Sequence, residues 1–169
     1  MTIAKKITPQ RLMSIDPSIN NLGLAIWDMK KPANILMYKL VHPTIVSREN
    51  QYEKAWSMLD QLRQWKTTYS VTRIICEVPE VWNVAGFEAR ETGSMDKLNF
   101  VCGLLYSLRG EVEEFKLVTP QQWKGQLKKK IMCERLFDHY IQYGIDLHKI
   151  DANVADGIGI GHFYLYGRV

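Results

Sequence analysis

The sequence predicts an α/β protein built on one mixed five-stranded sheet flanked by helices. Apolar segments of strand length open the chain, and segments with helical and strand periodicity alternate after them. A run of strands followed by this alternation is the order expected of a mixed sheet. The chain has 169 residues without an internal repeat or linker, so we expect a single domain over residues 1–169.

The first three apolar segments predict an antiparallel meander. Strands are expected at Leu12 to Ile15, Leu22 to Trp27 and Asn34 to Val41. Pro17 to Asn21 has the composition of a turn, and Gly23 allows another backbone to approach closely.

The rest of the chain alternates helices and strands. Thr119 is expected to cap a helix that starts at Pro120, because proline suits the first helical position. Ser47 is expected to cap the first helix, and Gly144 to end a later one. The predicted segments are a helix at 47–66, a strand at 71–78, a mixed connection at 80–96, a helix at 95–109, a strand at 114–118, and helices at 131–143 and 151–165. This is the element order of a ribonuclease H-like fold.

Composition bounds the class of protein. The net charge of +4 is compatible with a polyanionic partner but is weak evidence alone. Cys76, Cys102 and Cys133 lie far apart in apolar surroundings without zinc-type spacing, which predicts reduced, buried cysteines. No apolar segment is long enough for a bilayer and the first ten residues lack a signal-peptide pattern, so we expect a cytoplasmic protein without a membrane partner.

Two carboxylates stand at the ends of apolar strands. Asp16 ends the first strand, and Glu77 lies in the fourth, between Cys76 and Val78. If the two strands are neighbours, their same-face Cβ atoms lie about 4.5–5.5 Å apart, and the charges need a proton or a cation between them. Two structural alternatives stay open: Asp16 forms a turn with the following backbone, and Glu77 points to a solvated sheet edge.

A third carboxylate, Asp156, lies in the last helix. Gly157, Gly159 and Gly161 follow it at alternate positions. Each glycine inside a helix costs about 1 kcal/mol relative to alanine. We therefore expect this helix to lie very close to another element, most simply the sheet, which would bring Asp156 against the strand carboxylates.

The last helix offers two candidates for a fourth ligand. Asn153 lies on the helix face of Asp156 and is the preferred metal neighbour. Asp151 is better placed as the N-cap, accepting from the amide of Asn153 or Val154, and is the alternative ligand. Such oxygen ligands suit Mg²⁺ or Mn²⁺. His162 falls on a different face, which favours a core or surface histidine over a ligand.

With these residues in place, the chain resembles the RuvC-type Holliday-junction resolvases, in particular phage-type members. The matching segments are Ser14 to Ser18, Ile75 to Glu77, and Asn153 to Ile160, and the order of strands and helices is similar over nearly the whole chain. If the protein is phage-encoded, the compartment would be the host cytoplasm.

The resemblance implies that Asp16, Glu77 and Asp156 are catalytic and hold two divalent ions, Mg²⁺ with Mn²⁺ as a substitute. Asn153 departs from the aspartate usual at the fourth position, so it would add an uncharged ligand that cannot act as a base. One ion would activate the attacking water and the other would stabilise the leaving 3′-oxygen.

The same resemblance implies a homodimer that presents two active sites to a four-way DNA junction. Each site would cut one of two symmetry-related strands and leave a 5′-phosphate and a 3′-hydroxyl. The helix at 95–109 would form the dimer contact. The sequence does not show whether a branch-migration helicase is a partner.

DNA contacts are expected from aromatic and basic residues around this site. The segment after Glu77 matches in position the family loop that approaches the junction core, and an aromatic there stacking on a base is worth about 1–3 kcal/mol. Lysines after the fifth strand would contact phosphates. In the alternative, Trp82 packs under its own loop and the lysine run is a solvated face. The residues predicted to contact DNA are Trp82, Phe87, Arg90, Lys124, Lys128, Lys129 and Lys130.

Three other functions compete with this hypothesis. A nuclease for RNA–DNA hybrids or flaps would use the same metal chemistry. A sugar-kinase or actin-like nucleotide-binding module also opens with aspartate and a strand–turn–strand, but its turn normally carries phosphate-binding glycines, which Pro17 to Asn21 lacks. A catalytically weak junction-binding protein is compatible with Asn153.

Overall fold

One mixed sheet organises the computed structural model, which describes residues 10–31, 34–45, 50–79 and 94–168. The strands are β1 Arg11–Asp16, β2 Leu22–Asp28, β3 Ile35–Val41, β4 Arg73–Glu77 and β5 Glu114–Val118. Their spatial order is β3-β2-β1-β4-β5. β1, β2 and β3 pair antiparallel, whereas β4 pairs parallel with both β1 and β5. The predicted mixed sheet of five strands is therefore confirmed.

The helices follow the predicted order with shifted ends. Asn50 caps the first helix by accepting from the backbone N–H of Glu53 at 3.1 Å, so the predicted start at Ser47 is wrong. The predicted helix at 131–143 begins earlier and ends in a 3-10 turn before Gly144, whose φ is 80°. Within the described residues, the α-helices are α1 Gln51–Thr68, α2 Ser94–Tyr106, α3 Pro120–Trp123, α4 Lys129–Tyr140 and α5 Ala152–Tyr166, with 3-10 segments at Ser107–Glu111, Ile141–Tyr143 and Leu147–Lys149.

Two predicted caps are confirmed. Thr119 and Gln122 form a reciprocal capping box around Pro120, which fixes α3 immediately after β5. The Asp151 carboxylate accepts from the backbone N–H of Asn153 at 2.8 Å and caps α5.

The sheet has a different helical layer on each face. Met13 and Ile15 of β1 point to the core under α1 and α2. Leu12 points to the opposite core, which α3, α4 and α5 cover. Because side chains alternate along a strand, Ser14 and Asp16 share the face of Leu12. The end of β1 therefore directs a carboxylate towards α5.

Glycines let α5 approach its neighbours closely. A Cβ on Gly23 of β2 would collide with the backbone carbonyl of Asn153, and one on Gly157 would lie 3.0 Å from the Gly23 carbonyl. The expected close approach to the sheet is thus confirmed at Gly157. Gly161 faces the indole of Trp27, which is a sheet residue, whereas Gly159 faces α3 instead of the sheet.

The cysteines and the helix hydropathy bear on two further expectations. All three cysteines are free, with Cys76 and Cys102 buried but Cys133 only half-buried, so the prediction of a buried site is wrong for Cys133. In the part of the chain that the structure describes, none of the helices combines the length and apolarity that crossing a membrane requires.

Candidate functional site

Asp16 and Glu77 lie at the carboxyl ends of adjacent parallel strands. Ile15 of β1 pairs with Cys76 of β4, and each is followed by one of the two carboxylates. By the alternation of the strand, Glu77 shares the face of Ile75, which lies in the core beneath α5. β4 runs between β1 and β5, so Glu77 does not lie on a sheet edge.

Asp156 approaches the same place from α5. It is only 7 % exposed, and its Oδ2 accepts from the Lys129 ammonium at 2.6 Å. Its other oxygen, Oδ1, is buried and has no hydrogen-bond partner. A buried carboxylate oxygen without a partner is costly, so this atom is a candidate ligand for a cation.

Burial and its neighbours make Asp16 hard to ionise. Burial raises the pKa of Asp16 to about 8, and the negative charges of Glu77 and Asp156 add to the shift. Lys129 and Lys124 oppose it without cancelling it. The three carboxyl groups therefore interact electrostatically and together lack compensating positive charge.

Glu77 is held by an indole. Burial raises the pKa of Glu77, while the hydrogen bond that Trp123 Nε1 donates to Glu77 Oε2 lowers it. The Lys124 ammonium lies over the Trp123 ring, 4.9 Å from the centroid, and also favours the charged carboxylate. The Glu77 side chain is thereby fixed by a neutral donor rather than by a direct ion pair.

Lys129 supplies positive charge to the cluster. Burial acts to lower its pKa, but the bond to Asp156 raises it above the ordinary value for lysine. The ammonium stays charged and occupies one oxygen of Asp156. It also lowers the pKa of Asp16, so one lysine compensates part of the charge of two carboxyl groups.

The donor set fits a hard divalent cation in chemistry, and the buried Oδ1 of Asp156 provides an oxygen for it. Within residues 10–31, 34–45, 50–79 and 94–168, however, no three His, Cys, Asp or Glu side chains form a ready coordination group. Binding of an ion here would therefore have to draw the carboxylates together and compete with Lys129 for Asp156.

The two candidates for the fourth ligand differ in their bonds. Asp151 is exposed and is engaged as the cap of α5. The Asn153 side-chain amide donates to Asn21 Oδ1 at 2.8 Å, which ties α5 to the turn after β1 and leaves the Asn153 amide oxygen as a candidate ligand.

His162 is buried and bonded to the Tyr140 hydroxyl at 2.9 Å, as expected of a core histidine.

The predicted DNA contacts separate into three groups. Trp82, Phe87 and Arg90 lie outside the described residues. Lys128 and Lys130 are exposed, and Lys130 is 4.0 Å from Glu134. The remaining two lysines, Lys124 and Lys129, act on the carboxylates.

Sequence reasoning missed the contacts of Trp123 and Lys129. Trp123 was expected only as part of a helix, and Lys129 only as one of three equivalent lysines. Two signals were available in the sequence. The capped Thr119–Pro120 start places Trp123 five residues after Val118, the strand partner of Glu77, and the glycine at 159 leaves room for a large side chain.

Comparison with known proteins identifies the fold. No family model and no curated protein matches the sequence. T. thermophilus RuvC in complex with a Holliday junction substrate matches with a TM-score of 0.69 and 16 % identity, over 90 % of each chain. The chain has the RuvC fold. Another Thermus thermophilus RuvC structure matches with a TM-score of 0.68 and 15 % identity over 90 % of this chain and 91 % of that one.

The chain is also similar in structure to the yeast mitochondrial Holliday junction resolvase Ydc2. It matches with a TM-score of 0.60 and 12 % identity, over 95 % of this chain and 82 % of that one. At these identities the likeness establishes the fold alone. The predicted ribonuclease H-like architecture is therefore confirmed, and the function has to be argued from the site.

Proposed function

We propose that this protein is a Mg²⁺-dependent endonuclease that resolves four-way DNA junctions by paired nicks in recombination or phage DNA processing. The observation that carries the proposal is the convergence of Asp16, Glu77 and Asp156 at one end of a RuvC-fold sheet, with one Asp156 oxygen buried and unpartnered. Structures of similar fold include a RuvC bound to a Holliday junction substrate and a junction resolvase.

Each site would hold two Mg²⁺ ions, or Mn²⁺ in their place. The ligands would be Asp16, Glu77, Asp156 and the amide oxygen of Asn153. Bound there, the ions would activate a water and stabilise the leaving 3′-oxygen. The carboxylates supply the negative charge that holds them. The capping bond of Asp151 supports Asn153 over Asp151 as the fourth ligand.

The lysines would place DNA beside the carboxylates. Lys128 and Lys130 are exposed at the start of α4, next to the Lys129–Asp156 pair, where they can meet phosphates. Lys124 and Lys129 lie closer to the carboxylates and would meet the phosphate that is cut. Trp82, Phe87 and Arg90 would contact the junction core.

Paired nicking requires two sites, and each chain carries one such cluster, so we propose a homodimer. Exposed aromatic residues support a contact through α1 and α2: Tyr52 is 68 % exposed, Trp56 52 % and Phe100 37 %. They line a groove of about 750 Å³ between the two helices. Trp56→Glu should shift the protein to monomers in sedimentation analysis, whereas the control Tyr143→Glu, at a residue 49 % exposed elsewhere, should not.

Cleavage of defined substrates tests the proposal. The parent is incubated with a synthetic four-way junction, a flap and an RNA–DNA hybrid, each with Mg²⁺, with Mn²⁺ and with EDTA. Metal-dependent symmetric nicks in the junction alone support junction resolution. Preference for the hybrid or flap would assign a different nuclease activity. Junction binding without nicking would assign a binding protein.

A further inference from the structure

We propose that Trp123 is a positioning residue for Glu77. The indole N–H of Trp123 fixes the Glu77 carboxylate in the orientation needed to hold a divalent ion. This inference rests on the proposed metal-dependent function. It concerns a contact that neither the motifs nor the fold likeness assigns.

The backbone brings Trp123 to Glu77. Glu77 pairs with Val118 at the end of β5, and the Val78 N–H donates to the Val118 carbonyl at 2.8 Å. The Thr119 capping box then starts α3 at once, and Trp123 is the last residue of this single turn. The position of the indole is therefore set by the same strand pairing that positions the carboxylate.

α5 closes the indole in. Trp123 is fully buried, and a Cβ on Gly159 would stand 2.6 Å from Cζ3 of the ring. Leu136 of α4 also lies against this point. Only glycine at 159 leaves room for the ring, so the direction of the N–H is determined by packing.

The indole suits this task because it is a donor without charge. Its N–H can only donate, so Glu77 Oε2 is the acceptor and Oε1 is left for a cation. The terminal torsion of a glutamate is otherwise broad, and the charge of Asp156 disfavours the ionised Glu77 carboxylate. A lysine in place of the indole would compete with the metal ion, whereas the indole orients the carboxylate without neutralising it.

The chain offers a matched control in Trp27. This residue is also fully buried, its indole also faces a glycine of α5, and its N–H donates to the Ser14 hydroxyl at 3.0 Å. Trp123→Phe and Trp27→Phe each remove one indole N–H, and the side-chain volume lost is the same in both. Only the change at Trp123 removes a bond to a proposed metal ligand.

Calorimetric titration with Mn²⁺ tests the inference on the parent protein, Trp123→Phe, Trp27→Phe and Glu77→Gln, with thermal unfolding in EDTA measured alongside. We expect both phenylalanine variants to lose thermal stability to a similar extent. Trp123→Phe should weaken Mn²⁺ binding about 10-fold or more, as losses of groups that orient metal ligands do. Trp27→Phe should bind Mn²⁺ like the parent.

Unchanged Mn²⁺ affinity in Trp123→Phe, or an equal loss in Trp27→Phe, would overturn the positioning role. Absence of Glu77-dependent Mn²⁺ binding in the parent would instead overturn the proposed function. If Trp123→Phe does not fold, the benzothiophene analogue of tryptophan at position 123 replaces N–H by sulfur with the ring shape kept, and the same loss of affinity is expected.

Discussion

Two buried tryptophans beneath α5, Trp27 and Trp123, are packed in the same way but donate their N–H groups to different kinds of acceptor. The Trp123 corner consists of Trp123, Gly159 and Glu77, and the Trp27 corner of Trp27, Gly161 and Ser14. In each, a fully buried indole lies against a helical glycine and donates its N–H to a side chain of the central strands.

The two corners differ in the charge of the side chain that accepts the indole hydrogen bond. Ser14 is a neutral hydroxyl, and the Trp27 ring continues into aromatic packing against Tyr140 at 5.8 Å. Glu77 is a carboxylate beside two others, with lysines around it. A polar network that is complete within itself is typical of a structural core, whereas one that is short of positive charge indicates a site for a cation.

The largest expected difference between the corners is catalytic. Asp156 and His162 are both buried residues of α5, but only Asp156 faces the carboxylates. Asp156→Asn should lower the rate of Mg²⁺-dependent junction cleavage at least about 100-fold, the effect of losing one preorganised charge-stabilising group. His162→Gln should keep a rate close to the parent. Equal losses in both variants would mean that α5 is only a scaffold.

The glycines test the shared packing. Gly159→Ala and Gly161→Ala should each lower the free energy of unfolding by about 1–3 kcal/mol, because the new methyl meets a buried indole and overpacks the core. Gly103→Ala in α2 is the control, since its Cβ meets nothing within 4 Å and should stabilise the helix by up to about 1 kcal/mol. Denaturant unfolding that gives all three variants the same stability would contradict this packing.

His162, the residue after Gly161 of the Trp27 corner, should make the metal-free protein less stable in acid. Burial and then His139 lower the pKa of His162 from 6.5 to about 4. Below pH 6.5, His162 binds a proton in the unfolded chain but stays neutral in the folded protein. The stability that the neutral His162 contributes is therefore lost as pH falls from 6.5 towards 4. The His162 ring is in contact with the rings of Tyr140, Tyr166 and His139.

His162→Gln should therefore lose less Tm between pH 7 and pH 4.5 than the parent does, measured in EDTA. His148→Gln, at an exposed histidine, should keep the parental dependence. Asp16 acts with the opposite sign, because its native state holds a proton between pH 3.8 and about 8 and its contribution to stability falls as pH rises. Identical curves for the parent and His162→Gln would contradict the assignment.

The smallest effect is expected at Asp151, outside both corners. Asp151→Asn keeps a side-chain acceptor and should change the free energy of unfolding only slightly, whereas Asp151→Ala should cost about 1 kcal/mol as a lost cap. Neither change should alter Mn²⁺ affinity, while Asn153→Ala should reduce it. Loss of affinity in Asp151→Asn would make Asp151 the fourth ligand instead.

The strands, two of the helix caps and the gathering of carboxylates could be predicted because they depend on local chemistry. Asp16 and Glu77 interrupt apolar strands, and Thr119 and Asp151 precede helices with typical capping geometry. Such signals are readable along the chain because each involves residues close in sequence or a regular alternation.

The contacts within the site could not be predicted, because they depend on how α3 and α4 sit against the sheet. In the sequence, Lys128, Lys129 and Lys130 are equivalent, and only tertiary placement gives Lys129 to Asp156. Likewise, the choice of Glu77 as partner of Trp123 follows from strand register and from the space left by Gly159.

One measurement tests the central claim most directly: cleavage of a synthetic four-way junction, labelled on each strand in turn, by the parent and by Glu77→Gln in Mg²⁺. The account predicts symmetric paired nicks by the parent and their loss in Glu77→Gln, with junction binding retained. Full Mg²⁺-dependent cleavage by Glu77→Gln would contradict a site built on Asp16, Glu77 and Asp156.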